Sequence, residues 1–203
     1  MRNLFTNLIL FTALSIAFSG FTACNTATTQ KGPVLDNSAN TANAVGSDAD
    51  TAKTNKYPPA PTGIMQAEIK DLEGNTFKIE DKKGKVILIN LWATWCGPCR
   101  AEMPELIAMQ DKYRDKNFEV LGLDVDEESV DEIKAFAKEM KLNYPLGYAD
   151  DKLVSEIVKL SRQSGIPQSV LINRQGQTAG VFFGASRRAI ASMKEAVEKT
   201  VNE

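Results

Sequence analysis

The chain has 203 residues, 43% of them hydrophobic and 25% charged, with a formal net charge of −2; this suits one globular domain with extensions and supplies no basic field for nucleic acid. It contains no histidine, which excludes Ser-His-Asp and Cys-His nucleophile schemes, His-ligated metal sites and haem held by an axial His. The cysteines are Cys24, Cys96 and Cys99, so the arithmetic is one close pair and one leftover.

The N-terminus reads Met1-Arg2-Asn3, then an apolar stretch from Leu4 to Gly20, then Phe21-Thr22-Ala23-Cys24. A positive start, an apolar run and small residues at the exit are the layout of a secretory signal. The cysteine at that exit resembles the lipobox of bacterial lipoproteins, in which the signal is cleaved before Cys and the new N-terminal Cys is lipidated. This assigns residues 1–23 to a signal peptide and Cys24 to lipidation, although Phe21 stands where aliphatic residues predominate. An uncleaved anchor and plain secretion are the alternatives; Asn7, Thr12, Ser15 and Ser19 weaken a spanning helix, which needs about 20 predominantly apolar residues. All three place the domain outside the cytoplasm. Residues 24–60, rich in Asn, Thr, Ala, Asp, Ser and Lys and without periodicity, read as a disordered linker. As a flexible coil of about 36 residues it would hold the domain roughly 30–36 Å from a membrane.

The folded domain is expected over residues 61–203. Met65 to Lys70 and Thr76 to Glu80 alternate around Glu73-Gly74-Asn75, as in a hairpin. Val86 to Trp92 is nearly continuous apolar sequence, the mark of a central strand covered on both faces, and Phe118 to Val125 reads as a second. Ser129-Val130-Asp131-Glu132 fits a capping box leading into Ile133, Phe136, Ala137 and Met140 at helical spacing. Asp151 to Leu160 reads as a helix. Gln168 to Asn173 and Thr178 to Phe183 flank Gln175-Gly176 as an antiparallel hairpin, and Ile190, Met193, Val197 and Val201 share one face of a last helix. That order calls for an α/β fold with a mixed sheet sandwiched by helices.

Trp95-Cys96-Gly97-Pro98-Cys99 stands just after the buried strand and just before a helical pattern running to about Tyr113. A cysteine at a helix N-terminus feels free backbone N–H groups and the positive end of the macrodipole, which favour thiolate over thiol. Cys96 is therefore the expected nucleophile. Pro98 suits a first helical turn, where it has no donor to waste. Cys99, one turn further in, is the expected resolving thiol.

The run Asn90-Leu91-Trp92-Ala93-Thr94-Trp95-Cys96-Gly97-Pro98-Cys99-Arg100-Ala101-Glu102-Met103-Pro104 resembles the thioredoxin superfamily, and more narrowly the membrane-tethered TlpA-like disulfide reductases, over Ile64 to the C-terminus. The resemblance implies a thioredoxin-like fold with an N-terminal hairpin and a central helical insertion before Gly165-Ile166-Pro167. It implies a cis Pro167 beside the redox pair, with the Ile166 backbone available to an extended substrate, and Trp95, Gly97 and Pro98 as surface against that substrate. Thioredoxins proper carry a buried Asp where this chain has Asn90. TlpA-like proteins share that departure, and several have an acid at the place of Glu102, which becomes the candidate proton acceptor for Cys99. The alternative for Glu102 is an ordinary first-turn acid stabilising the helix N-terminus. Gln168 departs from the Thr usual after the cis proline, which bears on substrate preference. Trp92 reads as core, and Pro104 as a kink in the active-site helix.

One CxxC without a second pair falls short of a structural zinc site, and Arg100 stands where haem attachment needs His. No metal or cofactor is implied. The function expected is an extracytoplasmic thiol–disulfide oxidoreductase. It acts on protein or small-molecule disulfides, is favoured as a reductase because Gly97-Pro98 lacks the His that family oxidases often place there, and has cytochrome c maturation as the pathway the family suggests. A reductant in an oxidising compartment must be recharged, so an inner-membrane electron donor of the thiol-reducing type is the implied partner, with the membrane itself held through the N-terminal lipid. The alternatives are a non-catalytic thioredoxin-like binding lipoprotein and a disulfide oxidase or isomerase.

Overall fold

The structure is a computed structural model that describes residues 56–203; the expected signal peptide, Cys24 and most of the expected linker lie outside the described residues. Seven strands form one mixed sheet in the order β2-β1-β5-β4-β3-β6-β7. At its centre β3 (Val86–Trp92) runs parallel to β4 (Phe118–Asp124) and antiparallel to β6 (Gln168–Ile172). Every residue of β3 and of β4 is buried, because helices cover both faces. Ile87, Ile89 and Leu91 point into a core shared with Leu153 and Ile157 of α4 (Asp151–Ser161) and with Ile64 and Met65. The alternate residues Val86 and Leu88 point into a core shared with Leu106 and Met109 of α2 (Gly97–Tyr113) and Met193 and Val197 of α5 (Arg187–Val201). This two-sided burial is why the strand lacks an alternating pattern.

The expected capping box forms: the Ser129 hydroxyl accepts from the Glu132 N–H at 3.3 Å, and the Glu132 carboxylate accepts from the Ser129 N–H at 3.0 Å, opening α3 (Val130–Met140). The C-terminal hairpin pairs β6 with β7 (Thr178–Phe183). The N-terminal hairpin pairs β1 (Glu68–Asp71) with β2 (Thr76–Lys78), shorter at both ends than its alternation suggests. Met65 belongs to a one-turn helix α1 (Thr62–Met65) that buries Ile64 and Met65 side by side. After Lys78 the chain enters a 3-10 turn, Ile79–Lys82, because the Asp81 carboxylate accepts from the Lys78 N–H at 2.8 Å. The strand that periodicity does not reveal is β5 (Leu146–Tyr148), three residues long and therefore without a readable period. It bridges the N-terminal hairpin to β4.

Residues 57–60 also make contacts with the domain. The Pro58 carbonyl accepts from Thr178 N–H at 2.9 Å, the Ala60 N–H donates to Gly176 at 3.1 Å, and the Tyr57 hydroxyl donates to Glu203 at 3.1 Å. In the register, Thr178 pairs with Ile172 and Ile172 with Ile87, so this segment lies along the edge strand β7, level with the start of β3. The cysteines follow its other end, about 20 Å away at roughly 3.3 Å per strand residue. Among the described residues no helix is long and apolar enough to cross a membrane.

Candidate active site

Cys96 and Cys99 are joined by a disulfide with Cα atoms 5.3 Å apart. Cys96 is the N-cap of α2, and its sulfur accepts from the Cys99 N–H at 3.2 Å; the sulfur thus occupies the place where unpaired N–H groups and the helix dipole favour negative charge. Pro98 lies within the first two positions of the helix, as expected. α2 runs unbroken past Pro104 to Tyr113. In the disulfide form both cysteines are covered, Cys96 at 2% exposure and Cys99 at 0%. The surface around them consists of Trp95, Gly97 and Pro98, all exposed, with Trp95 at 65%.

Behind the pair lies a packed cluster. Trp92 is fully buried and stacks on Phe136 of α3 with ring centroids 5.1 Å apart; Arg100 sits 5.1 Å from the Phe136 ring while pairing with Glu139 at 2.9 Å. Ile166 packs on the same cluster as Cys96 and Cys99. The Ile166-Pro167 peptide is cis, and the Pro167 carbonyl accepts from Gly184 N–H at 2.9 Å. Tertiary packing therefore brings Trp95, Cys96, Cys99, Ile166 and Pro167 to one end of the sheet. Gln168 turns inward: its amide donates to the carbonyls of Gly165 at 2.7 Å and Gln163 at 3.2 Å, bracing the loop that precedes Pro167.

Glu102 is not a first-turn acid, since the first turn of α2 holds none. It lies one turn beyond Cys99, 2% exposed, and its Oε1 accepts from the Asn90 amide at 2.7 Å. Asn90 also donates to the Ser169 hydroxyl at 3.1 Å. Burial raises the Glu102 pKa from 4.5 to about 7, partly opposed by the Asn90 hydrogen bond. Asn90 and Glu102 thus form one buried unit. Tyr144 is buried on the same side, and its phenol is pushed upward by burial and by the Glu102 charge.

One part of the site has no counterpart in the sequence reasoning. The loop Asp124–Glu128 leaves β4 level with the exit of β3, since Trp92 pairs with Asp124. Asp126 accepts from the Trp95 indole N–H at 2.7 Å, and Glu128 accepts from the Thr94 N–H at 3.0 Å and from its hydroxyl. Burial raises the Asp124 pKa; the backbone N–H groups of Glu128 and Asp126 oppose the rise and the Glu128 carboxylate adds to it. A run of acids after a strand looks like a solvated turn, and nothing in its spacing signals these contacts. Among the described residues no three Cys, Asp or Glu side chains converge in a way that could hold a metal ion.

A model of the AhpC/TSA family matches residues 60–180. The chain is 38% identical over 109 residues to the thiol-disulfide oxidoreductase ResA of Bacillus thuringiensis subsp. konkukian, a match covering 54% of this chain and 61% of that relative. It is 34% identical over 136 residues to a ResA of Bacillus cereus, covering 67% of this chain and 74% of the relative. Among solved structures it is similar to a thiol:disulfide interchange protein of the thioredoxin family from Chlorobium tepidum TLS, with a TM-score of 0.60, 27% identity and coverage of 72% of this chain and 97% of that one. A fold of this topology, a CxxC disulfide at a helix N-terminus and a family match over more than half its length establish that the chain belongs to the AhpC/TSA family of thioredoxin-like proteins.

Proposed function

We propose that the chain is an extracytoplasmic thiol–disulfide oxidoreductase that reduces substrate disulfides through Cys96 and Cys99. The observation that carries this reading is the disulfide capping α2, with a buried acid of raised pKa one turn beyond it. The names of the ResA relatives support the activity.

In the reduced form the Cys96 thiolate attacks one sulfur of a substrate disulfide. That S–S bond breaks, the far sulfur leaves as a thiolate, and a Cys96–substrate disulfide forms, with the substrate chain lying along Ile166-Pro167 and against Trp95, Gly97 and Pro98. Cys99 then gives its proton to Glu102, directly or through water, and attacks the Cys96 sulfur. The mixed disulfide breaks, the second substrate thiolate leaves, and the Cys96–Cys99 disulfide closes. Two electrons pass to the substrate, and its two thiolates take up two protons. A carboxyl with a pKa of about 7 is matched to this exchange near neutral pH.

Gly97-Pro98 between the cysteines supports reduction over oxidation. The recharging partner is a thiol-reducing electron donor in the inner membrane, and the substrates are protein or small-molecule disulfides, those of cytochrome c maturation being the first to test. Anchoring through a lipid on Cys24 rests on the signal-like N-terminus. Residues 58–60 pair at the end of the sheet away from the cysteines, which suits such a tether. The test is reduction of a model disulfide by the pre-reduced chain: wild type reduces it and Cys96→Ser does not. Equal rates for the two would sink the proposal. Cys99→Ser, which stalls at the mixed disulfide, then captures the substrate.

A further inference from the structure

The two residues that lead into Cys96 are held from the side by the loop after β4. Thr94 donates both its N–H, at 3.0 Å, and its hydroxyl to the two carboxylate oxygens of Glu128. Glu128 is itself tied at both ends of its peptide: its N–H donates to Asp124 Oδ1 at 3.2 Å, and its carbonyl accepts from the Tyr148 hydroxyl at 3.0 Å. Asp124 is 1% exposed and pairs in register with Trp92, so the base of this clamp is part of the sheet. Among the described residues no lysine or arginine pairs with Glu128, which leaves Thr94 as the group that meets both of its oxygens.

We propose that Glu128 is a positioning residue of the redox turn: by clamping Thr94 from a base anchored in β4, it holds Trp95 and Cys96 in the orientation from which the thiolate attacks. The proposal rests on the thiol–disulfide reading above. The physical reason is that Trp95 is largely exposed and packs against little. Cys96 itself is tied through its N–H to the Ala93 carbonyl at 3.1 Å and, on the helix side, through its carbonyl to the Arg100 N–H at 3.1 Å and its sulfur to the Cys99 N–H at 3.2 Å, while Trp95 is tied through its indole to Asp126. A nucleophile that must meet a substrate sulfur in line loses rate when its turn samples other orientations. Once the internal disulfide is open, the clamp is the contact that keeps Thr94 in place.

The test uses the full chain, pre-reduced, in single turnover against a fluorescent peptide dimer joined by one cystine, with the limiting rate and half-saturation concentration measured separately. Glu128→Gln and Thr94→Val each lower the limiting rate roughly tenfold, the equivalent of one lost charge-assisted hydrogen bond, with half-saturation changed less than about twofold. Thr94→Ser, which keeps the hydroxyl, restores the wild-type rate. The double variant is no slower than the slower single one, because both remove the same contact. Losses that multiply in the double variant, or wild-type rates accompanied only by a lower melting temperature, overturn the positioning role. Wild type no faster than Cys96→Ser overturns the thiol–disulfide reading and this proposal with it; an active wild type matched by Glu128→Gln overturns this proposal alone.

Discussion

Replacing Glu102 by Gln removes a buried titrating group while keeping an oxygen that can accept from Asn90. In the folded chain burial holds the Glu102 pKa at about 7 against an ordinary 4.5. Between those values the folded state binds the proton and the unfolded chain does not, so stability falls as pH rises through the window. Below about pH 4.5 the group is protonated in both states and costs nothing. Above about pH 7 it is ionised in both, and the full cost of holding the charge in the buried site, roughly 3–4 kcal/mol, is present. Urea unfolding of the disulfide form is the assay, run on wild type and Glu102→Gln at about pH 5 and about pH 8. The two should agree within about 1 kcal/mol at the lower pH, and the variant should be the more stable by about 2–3 kcal/mol at the higher. Taking the difference between the proteins cancels Asp124, whose pKa burial also raises. Parallel stability curves for the two would refute a buried, proton-holding Glu102. In the reduced protein the same substitution should remove the pH dependence near neutrality from the step in which Cys99 resolves the mixed disulfide.

Two further substitutions test the frame of the site. A Cβ at Gly147 would lie 2.6 Å from the Lys70 carbonyl oxygen and 3.3 Å from Ile69 Cγ2; Gly147→Ala should destabilise by roughly 1–3 kcal/mol or more, since backbone cannot rotate aside, and an unchanged urea midpoint would contradict the close approach of β1 to β5. Ser129→Ala breaks the capping box of α3 and should cost about 1 kcal/mol, read as a lower melting temperature, while Glu132→Ala in the Ser129→Ala background should add little.

Much of the fold is legible because strong local signals agree with the final packing. The β3 run of Val86 to Trp92, the Ser129 capping box and the hairpin around Gln175-Gly176 each carry their structure in adjacent residues. The CxxC segment is legible for the same reason: a cysteine, a glycine and a proline at a helix start specify an N-cap sulfur through bonds spanning three residues. Met65 misleads because its apolar neighbours fit a strand's alternation and one helical turn equally well, and packing against the core decides for the turn. β5 is too short to show a period, and forms where β1 and β4 leave unpaired edges for it.

The sequence by itself determined the cysteine pair, its place at the head of α2 and the central strand that leads into it, because each is written within a few consecutive residues. Only the tertiary structure decided that Glu102 is buried against Asn90, that Gln168 braces the loop before Pro167 and that Glu128 grips Thr94. The Asn90–Glu102 bond spans 12 residues, Asn90–Ser169 spans 79 and Thr94–Glu128 spans 34. Whether a polar side chain is solvated or enclosed depends on which distant strand or loop arrives beside it, and that environment sets its protonation and its role.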